Sequence, residues 1–95
     1  MNVCDIKKGQ IVYSKAGRDK GKCFVILEHE HPYVYLADGK SRRLENPKKK
    51  KELHIQITHY VDMTMNELLE NDKRMTNAEI RKSIDQFIHM DDQEL

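Results

Sequence analysis

The sequence predicts a mainly β fold, a small five-stranded antiparallel barrel over residues 1–58, followed by an acidic helical extension over residues 59–95. Short apolar or alternating segments separated by turn residues fill the first part of the chain, which is typical of a small barrel with short connections. After residue 58 the apolar spacing changes from a period of two residues to a helical period. A chain of 95 residues has room for one small domain and an appendage.

The first two predicted strands enclose a basic loop that contains two glycines. Residues 11–13 form a short apolar strand, and residues 23–27 have the length and composition of a buried strand. Residues 14–22 between them read SKAGRDKGK, and the glycines permit a left-handed backbone there. Such a loop suits contact with a phosphate backbone, although glycine turns with lysines are also common on ordinary hairpins. Asp19 is interpreted as a turn residue that caps loop amides.

A third strand is predicted at residues 33–37, after the break at His31-Pro32. It ends on Asp38-Gly39, a two-residue hairpin signal. Tight closure of that turn predicts three cross-strand pairs: Leu36 with Ser41, Tyr35 with Arg42, and Val34 with Arg43. Tyr35 beside Arg42 would form a surface for stacking and charge contact with nucleic acid. The pattern leaves open which face of this hairpin is buried, and we expect a bulge.

The lysine run at residues 48–51 follows Pro47 and is predicted to be a loop. From charge alone, a solvated run is as good an interpretation as a nucleic-acid contact. Its position beside a second basic loop in one small domain favours phosphate contact. Leu53, Ile55 and Ile57 then alternate with polar residues and predict a last, half-buried strand.

Two short helices are predicted in the extension. Thr64-x-x-Glu67 and Thr76-x-x-Glu79 both fit the capping box, so we expect helices at residues 66–71 and 77–89. The second carries an apolar stripe of Ile80, Ile84, Phe87 and Ile88. A helix this short is marginal alone, so the stripe must pack on the barrel, on a second copy or on a partner protein. We expect it to dock on the barrel and to shield part of its positive charge.

Charge is divided unevenly along the chain. Residues 1–60 hold thirteen lysines and arginines against seven acidic residues, a net charge of +6, and residues 61–95 hold four against nine, a net charge of −5. The pattern is that of a basic domain with an acidic extension. The two cysteines, Cys4 and Cys23, form no CxxC motif, and no apolar run approaches 20 residues. We therefore expect a cytoplasmic protein without a Cys4–Cys23 disulfide.

Catalytic and metal chemistry find little support in the residue pattern. No serine stands in a nucleophile elbow, and no phosphate-binding loop is present, so we expect no enzyme. His29 and His31 lie two apart and would share a face of an extended chain, with His54 and His59 later. The cysteines are not in ligand spacing with them, and no HExxH motif occurs. We expect no cofactor and no metal.

A family resemblance adds to this interpretation. Residues 9–22, GQIVYSKAGRDKGK, resemble the KOW motif, an RNA-binding hairpin of ribosomal proteins and NusG-type transcription factors. The pieces LADG at 36–39, NPKKKK at 46–51 and HIQ at 54–56 narrow it to small bacterial KOW-domain RNA-binding proteins related to large-subunit ribosomal proteins of archaea and eukaryotes. The resemblance covers residues 5–57. It implies an SH3-like barrel, no catalysis, and RNA or the ribosome as partner.

The function predicted from the sequence is therefore that of a non-catalytic, ribosome-associated RNA-binding module, with ribosomal RNA and ribosomal proteins as partners. RNA binding is assigned to the glycine-containing loop, where Gly17 and Gly21 shape the backbone and Lys15, Arg18, Lys20 and Lys22 meet phosphates. The contact is extended by Arg42 and Arg43 and by the lysine run, Lys48, Lys49, Lys50 and Lys51. Tyr13, Tyr33 or Tyr35 would stack on an unpaired base. Two alternatives stay open: a protein-interaction module whose acidic amphipathic extension docks a partner, and an accessory of a transcription factor.

Overall fold

The computed structural model describes residues 6–93, with side chains up to residue 90. Within that range the chain forms five strands and two α-helices, with a 3₁₀ turn at Glu52–His54. The elements are β1 (Gln10–Ser14), β2 (Cys23–Glu30), β3 (Tyr33–Ala37), β4 (Lys48–Lys51), β5 (Ile55–Val61), α1 (Met63–Glu70) and α2 (Asn77–Gln93). A mainly β fold with a C-terminal helical segment is thus confirmed.

All five strands belong to one antiparallel sheet in the order β4-β3-β2-β1-β5. The predicted closure into a barrel is wrong, because β4 and β5 are the two edges of the sheet and no ladder joins them in the described part of the chain. Only the 3₁₀ turn separates these strands along the chain, so the sheet must curve until its edges approach at one end. Side chains, rather than a backbone ladder, connect β4 to the β1–β2 loop through the contact of Lys50 with Asp19.

The fourth strand is the lysine run, and the predicted hairpin through Asp38-Gly39 is wrong. Leu36 pairs with Lys48, Tyr35 with Lys49 and Val34 with Lys50. The physical reason lies in Asp38, whose carboxylate accepts hydrogen bonds from the backbone N–H groups of Lys40 and Arg42, both at 2.8 Å. The Asp38 side chain thus binds the backbone of its own turn, and residues 41–44 do not continue the ladder with β3.

Both faces of the sheet are apolar at its centre. One face buries Val12, Phe24, Ile26, Val34, Leu36 and Ile55. The other buries Ile11, Val25 and Ala37 against the helices. Because successive strand residues point to opposite faces, the central residues of β1 and β2 are buried on both faces, which explains the apolar runs at residues 11–13 and 23–27.

The helices cover the second face, as the apolar stripe predicted. Ile80 of α2 is fully buried in this layer, with Met65 and Met75, and Ile84 and Phe87 pack at its margin. Polar contacts hold the start of α2 on the segment between β3 and β4. Leu44 N donates to Asn77 Oδ1 at 2.8 Å, and Arg81 Nη1 donates to the carbonyl of Gly39 at 2.7 Å. Docking of the extension on its own sheet is therefore confirmed.

The two predicted capping boxes have different outcomes. At α2, Glu79 N donates to Thr76 Oγ1 at 3.1 Å and Thr76 N donates to Glu79 Oε1 at 2.9 Å, which confirms the box. The Thr64 box is wrong, because α1 begins earlier and is capped by Asp62, which accepts from Met65 N at 3.1 Å. Asp62 N in turn donates to the carbonyl of Gly9 at 3.0 Å, so the start of α1 is bonded to the residue just before β1.

The last strand joins the sheet to the helices. Thr58 Oγ1 donates to the carbonyl of Ile11, and Gln10 Nε2 donates to the carbonyl of Thr58. The strand continues to Val61, which pairs with Gln10. The domain boundary at residue 58 stays a prediction, and β5 runs across that position.

Cys23 is a half-buried thiol at the start of β2 that forms no disulfide with any described residue. Burial raises its pKa, although a hydrogen bond with Tyr13 acts in the opposite direction. Cys4 lies outside the described residues, so the expected absence of a Cys4–Cys23 disulfide stays a prediction. Neither described helix has the length and apolar character needed to span a bilayer.

Removal of the buried anchor of α2 tests how much the sheet depends on the helices. We expect Ile80→Ala to lower the free energy of unfolding by about 2–5 kcal/mol, the usual cost of truncating a buried Ile in a packed core. Ile88→Ala is the matched control, because Ile88 is on the same helix but 48% exposed, where Ile80 is 0% exposed. Urea unfolding should give a change within about 0.5 kcal/mol for the control. Equal effects of the two substitutions would contradict the docked arrangement.

Candidate nucleic-acid interface

The loop between β1 and β2 is closed by its own backbone. Ser14 N donates to the carbonyl of Lys22 at 3.0 Å, and Gly21 N donates to the carbonyl of Ser14 at 2.8 Å. Gly17 and Gly21 have φ angles of +84° and +88°, which L side chains rarely adopt. The left-handed backbone that the sequence analysis associated with these two glycines is present, and the hydrogen bonds give the loop a defined conformation.

Asp19 is the centre of this loop. Its carboxylate is buried and accepts hydrogen bonds from Ser14 Oγ at 2.8 Å and from Lys50 Nζ at 3.3 Å. Lys48 Nζ lies 3.6 Å from the other carboxylate oxygen. Lys50 Nζ also donates to the carbonyl of Ala16 at 3.0 Å. The prediction that Asp19 caps loop amides is wrong, because side chains from β1 and β4 occupy the carboxylate.

The charge state of Asp19 follows from these contacts. Burial by itself raises the pKa of Asp19, but the hydrogen bonds from Ser14 and Lys50 and the charges of Lys50 and Lys48 outweigh it. The pKa of Asp19 is therefore lowered from the ordinary value of 3.8. The carboxylate stays ionised at neutral pH and is neutralised by lysines of the same protein.

The cations of the loop all point outward. Lys15, Arg18, Lys20 and Lys22 are exposed, as are Gly17 and Gly21. Because the one acidic side chain of the loop is turned inward and paired, the outer surface of the loop is positive. The structure therefore brings together the six loop residues predicted for RNA contact, which we call the basic loop.

Within the lysine run, strand alternation divides the four side chains into two pairs. Lys48 and Lys50 point toward Asp19, and Lys50 is only 8% exposed. Lys49 and Lys51 are exposed on the opposite side of β4. The prediction of a loop is wrong, because residues 48–51 form a strand. Two of the four lysines, Lys49 and Lys51, are exposed, and Lys50 is buried in contact with the β1–β2 loop.

A tyrosine and a lysine meet beside this edge, although sequence reasoning paired Tyr35 with Arg42. Lys49 Nζ lies 4.4 Å from the centroid of the Tyr33 ring, within the range of a cation–π contact. Tyr35 is opposite Lys49 in the ladder, and its hydroxyl donates to Glu30 at 3.2 Å. We call Tyr33, Lys49 and Lys51 the edge patch. The alternating tyrosines at residues 33 and 35 and the lysine run were visible in the sequence, but the wrong turn register paired the tyrosine strand with residues 41–43.

Tyr13 has a different environment from the other predicted stacking residues. Its ring packs against Phe87 of α2, with the centroids 6.0 Å apart. This contact places Tyr13 on the helix side of the sheet, where Phe87 also contacts Tyr60. Tyr13 therefore belongs to the sheet–helix interface.

Arg42 and Arg43 lie in the segment between β3 and β4, away from the ladder predicted for them. Arg42 is half-buried and Arg43 exposed. Near this segment a groove of about 550 Å³ opens between the basic loop and α2. Lys22, Lys40 and Arg81 line it together with two carboxylates, Asp38 and Asp85. The groove therefore carries mixed charge, and the basic loop contributes Gly21 and Lys22 to its lining.

The two histidines of the β2–β3 turn meet an acidic residue that the sequence did not single out. His29 and His31 both contact the carboxylate of Glu52 in the 3₁₀ turn. Burial raises the pKa of Glu52, but the hydrogen bonds from the histidines outweigh it, so the pKa of Glu52 is lowered. Glu52 is more than 20 residues from either histidine, and no spacing rule connects them.

No protein-family model matches this chain, and no curated protein matches it at a significant level.

The Asp19 cluster should control acid stability. A carboxylate with a lowered pKa in the folded state stabilises the protein above its unfolded pKa, and that stability is lost as the pH falls through the folded value. We expect Asp19→Asn to lower the free energy of unfolding by about 1–3 kcal/mol at neutral pH, because the buried Lys50 charge loses its partner. The loss of stability below pH 3.8 should also become shallower than in the wild type.

Asp85→Asn is the control for this measurement, because Asp85 is an exposed acidic residue whose ion pair with His89 lies on the surface of α2. Thermal unfolding monitored by circular dichroism between pH 2 and pH 7 gives both curves. If the two variants had the same acid profile, Asp19 would not be the group that links the loop to the stability of the sheet.

Proposed function

We propose that this protein is a non-catalytic RNA-binding module that associates with the ribosome. The observation that carries the proposal is the basic loop, where four exposed cations surround a carboxylate that is buried and already paired. Phosphate oxygens are the ligands that such a surface attracts, since Lys and Arg neutralise them and release condensed counterions.

Order in the loop supports the same proposal. The left-handed glycines and the internal hydrogen bonds hold the loop in one shape before any ligand arrives. A preformed loop loses little conformational entropy on binding, so more of the electrostatic attraction appears as affinity. The glycines also leave the backbone open to close approach, and nothing lies within 4 Å of the position that a Gly21 side chain would take.

The edge patch offers the second kind of contact that RNA recognition uses. Unpaired bases stack on aromatic side chains, and lysines next to such rings contact the adjacent phosphates. Tyr33 with Lys49 and Lys51 has this composition on the exposed edge of the sheet. Association with the ribosome is an extension of the proposal that draws on the KOW resemblance of residues 9–22.

The interaction-module alternative needs the apolar stripe of α2 to be available to a partner. Ile80 is fully buried against the sheet of the same chain, and Ile84 and Phe87 pack there as well. Ile88 and Met90 stay exposed, which is a small surface compared with a docking helix face. We therefore favour the RNA-binding proposal over this alternative.

The RNA-binding proposal predicts a charge-specific loss of affinity. We expect the triple variant Arg18→Gln, Lys20→Gln and Lys22→Gln to bind a fluorescently labelled single-stranded RNA more weakly at low salt. The slope of log K against log salt should become shallower by about 2, since each single-strand phosphate contact contributes roughly 0.7. Fluorescence anisotropy across a salt series measures both quantities.

The control for this experiment is the triple variant Lys73→Gln, Arg74→Gln and Lys82→Gln, which removes the same number of exposed charges from the helical part. It should keep the wild-type slope. Equal losses in the two triple variants would indicate attraction by net charge alone and would contradict a defined interface. Co-sedimentation with ribosomal subunits at low and high salt then tests the association with the ribosome separately from RNA binding.

A further inference from the structure

Three side chains that can bind a metal converge near the C-terminal end of β2. The basic loop precedes the other end of the same strand. The ligating atoms of His29, His31 and Glu52 all lie within 4.8 Å of one another. His31 Nδ1 is 3.0 Å from each carboxylate oxygen of Glu52, and His29 Nε2 contacts the same carboxylate. Two imidazoles and one carboxylate form a donor set of the kind that open zinc sites use.

The backbone holds these donors in place. His29 is in β2, opposite Val34 in the ladder with β3, and His31 follows two residues later at the turn. Glu52 begins the 3₁₀ turn after β4, and its N–H donates to the carbonyl of Pro32 at 2.8 Å. A backbone hydrogen bond thus joins the two turns that supply the ligands. Donors on such constrained segments are already oriented, which lowers the cost of assembling a site.

Exposure of the three groups fits a site that an ion can enter. The Glu52 side chain is mostly buried and His29 is partly buried, while His31 is exposed on the outside. The two inner donors are shielded from competing water, and the outer one leaves a path to solvent. No lysine or arginine forms an ion pair with Glu52 among the described residues, so no fixed cation competes for this carboxylate.

We propose that His29, His31 and Glu52 form a binding site for one Zn²⁺ ion per chain. Imidazole and carboxylate donors suit zinc, and three protein ligands leave the fourth tetrahedral position for water or for an external anion. When the ion binds, each ligating imidazole nitrogen gives its proton to solvent. A ring that was neutral takes up a proton on its other nitrogen, so both rings are held as the neutral tautomer protonated on the nitrogen away from the ion. The ion then replaces the hydrogen bonds that join the histidines to Glu52.

Such an ion would cross-link the β2–β3 turn to the turn between β4 and β5. The first turn joins the inner strands β2 and β3, and the second joins the two edge strands β4 and β5. Metal binding would therefore stabilise the curved shape of the sheet. The site does not depend on the RNA-binding proposal, because it shares no residue with the basic loop or with the edge patch. Residue spacing alone argued against zinc, since the third ligand is distant along the chain.

The test uses the full chain without a histidine tag, and Co²⁺ as a spectroscopic probe for Zn²⁺. We expect one Co²⁺ per chain, with visible absorption bands of a four- or five-coordinate ion that disappear when Zn²⁺ is added. The midpoint of thermal unfolding should rise with Zn²⁺ and return to its starting value with a chelator. His31→Gln and Glu52→Gln should each weaken Zn²⁺ binding by at least about tenfold, since even disturbing the groups behind metal ligands costs about that much.

The control is the double variant His59→Gln and His89→Gln, which removes two exposed histidines away from the cluster and should keep the wild-type affinity. His31→Gln is the decisive variant, because His31 is exposed and its replacement leaves the core intact. Circular dichroism of each metal-free variant checks that it folds. The proposal would be overturned by unchanged binding in His31→Gln or in Glu52→Gln, by a stoichiometry of one ion per two chains, or by the absence of absorption bands with Co²⁺. The three side chains would then form only a hydrogen-bonded cluster.

Discussion

The contact between Asp19 and Lys50 is the interaction on which the loop and the sheet edge both depend. It joins the β1–β2 loop to β4, two segments that no backbone ladder connects in the described chain. Both charges are largely removed from water, so each is costly without the other. Ser14 and the carbonyl of Ala16 supply further hydrogen bonds to the pair, which is the condition under which a buried ion pair is tolerated.

The same contact determines which charges face the solvent. A loop of this sequence with Asp19 on its surface would carry a carboxylate among its cations, and its electrostatic attraction for any anion would be weaker. With Asp19 turned inward, the exposed charge of the loop is all of one sign. Structural stability and surface chemistry are thus coupled through one carboxylate, and the cost is one lysine, Lys50, withdrawn from the surface.

The helices complete the sheet and leave the basic loop exposed. Ile11 and Val25 lie on the face opposite Val12 and Phe24, so a sheet without helices would expose an apolar face to water. Ile80 and the methionines Met65 and Met75 cover that face. Within residues 6–90, none of the ion pairs joins a helix carboxylate to the basic loop. The expected shielding of the cations by the extension therefore stays a prediction, whereas its docking is established.

Local pattern was sufficient for the features that depend on neighbouring residues. The strands around Ile11 and Val25, the left-handed glycines Gly17 and Gly21, the Thr76 capping box and the apolar stripe of α2 all follow from periodicity or from backbone sterics, and all are present. The run at residues 23–27 also predicted a buried strand, and the structure buries its centre between the two apolar layers.

Features that depend on distant partners were decided only by the tertiary structure. The lysine run is a strand because the Asp38 carboxylate binds the backbone N–H groups of Lys40 and Arg42 and closes the turn after β3. β3 pairs instead with the next extended segment, residues 48–51. The inward direction of Asp19, the burial of Lys50 and the meeting of His29 and His31 with Glu52 each join residues that are 21 or more positions apart. No local preference encodes such contacts, because burial and ion pairing are properties of positions in space. The sequence therefore determines which chemical groups are available to the candidate sites, and the tertiary structure determines which of them meet.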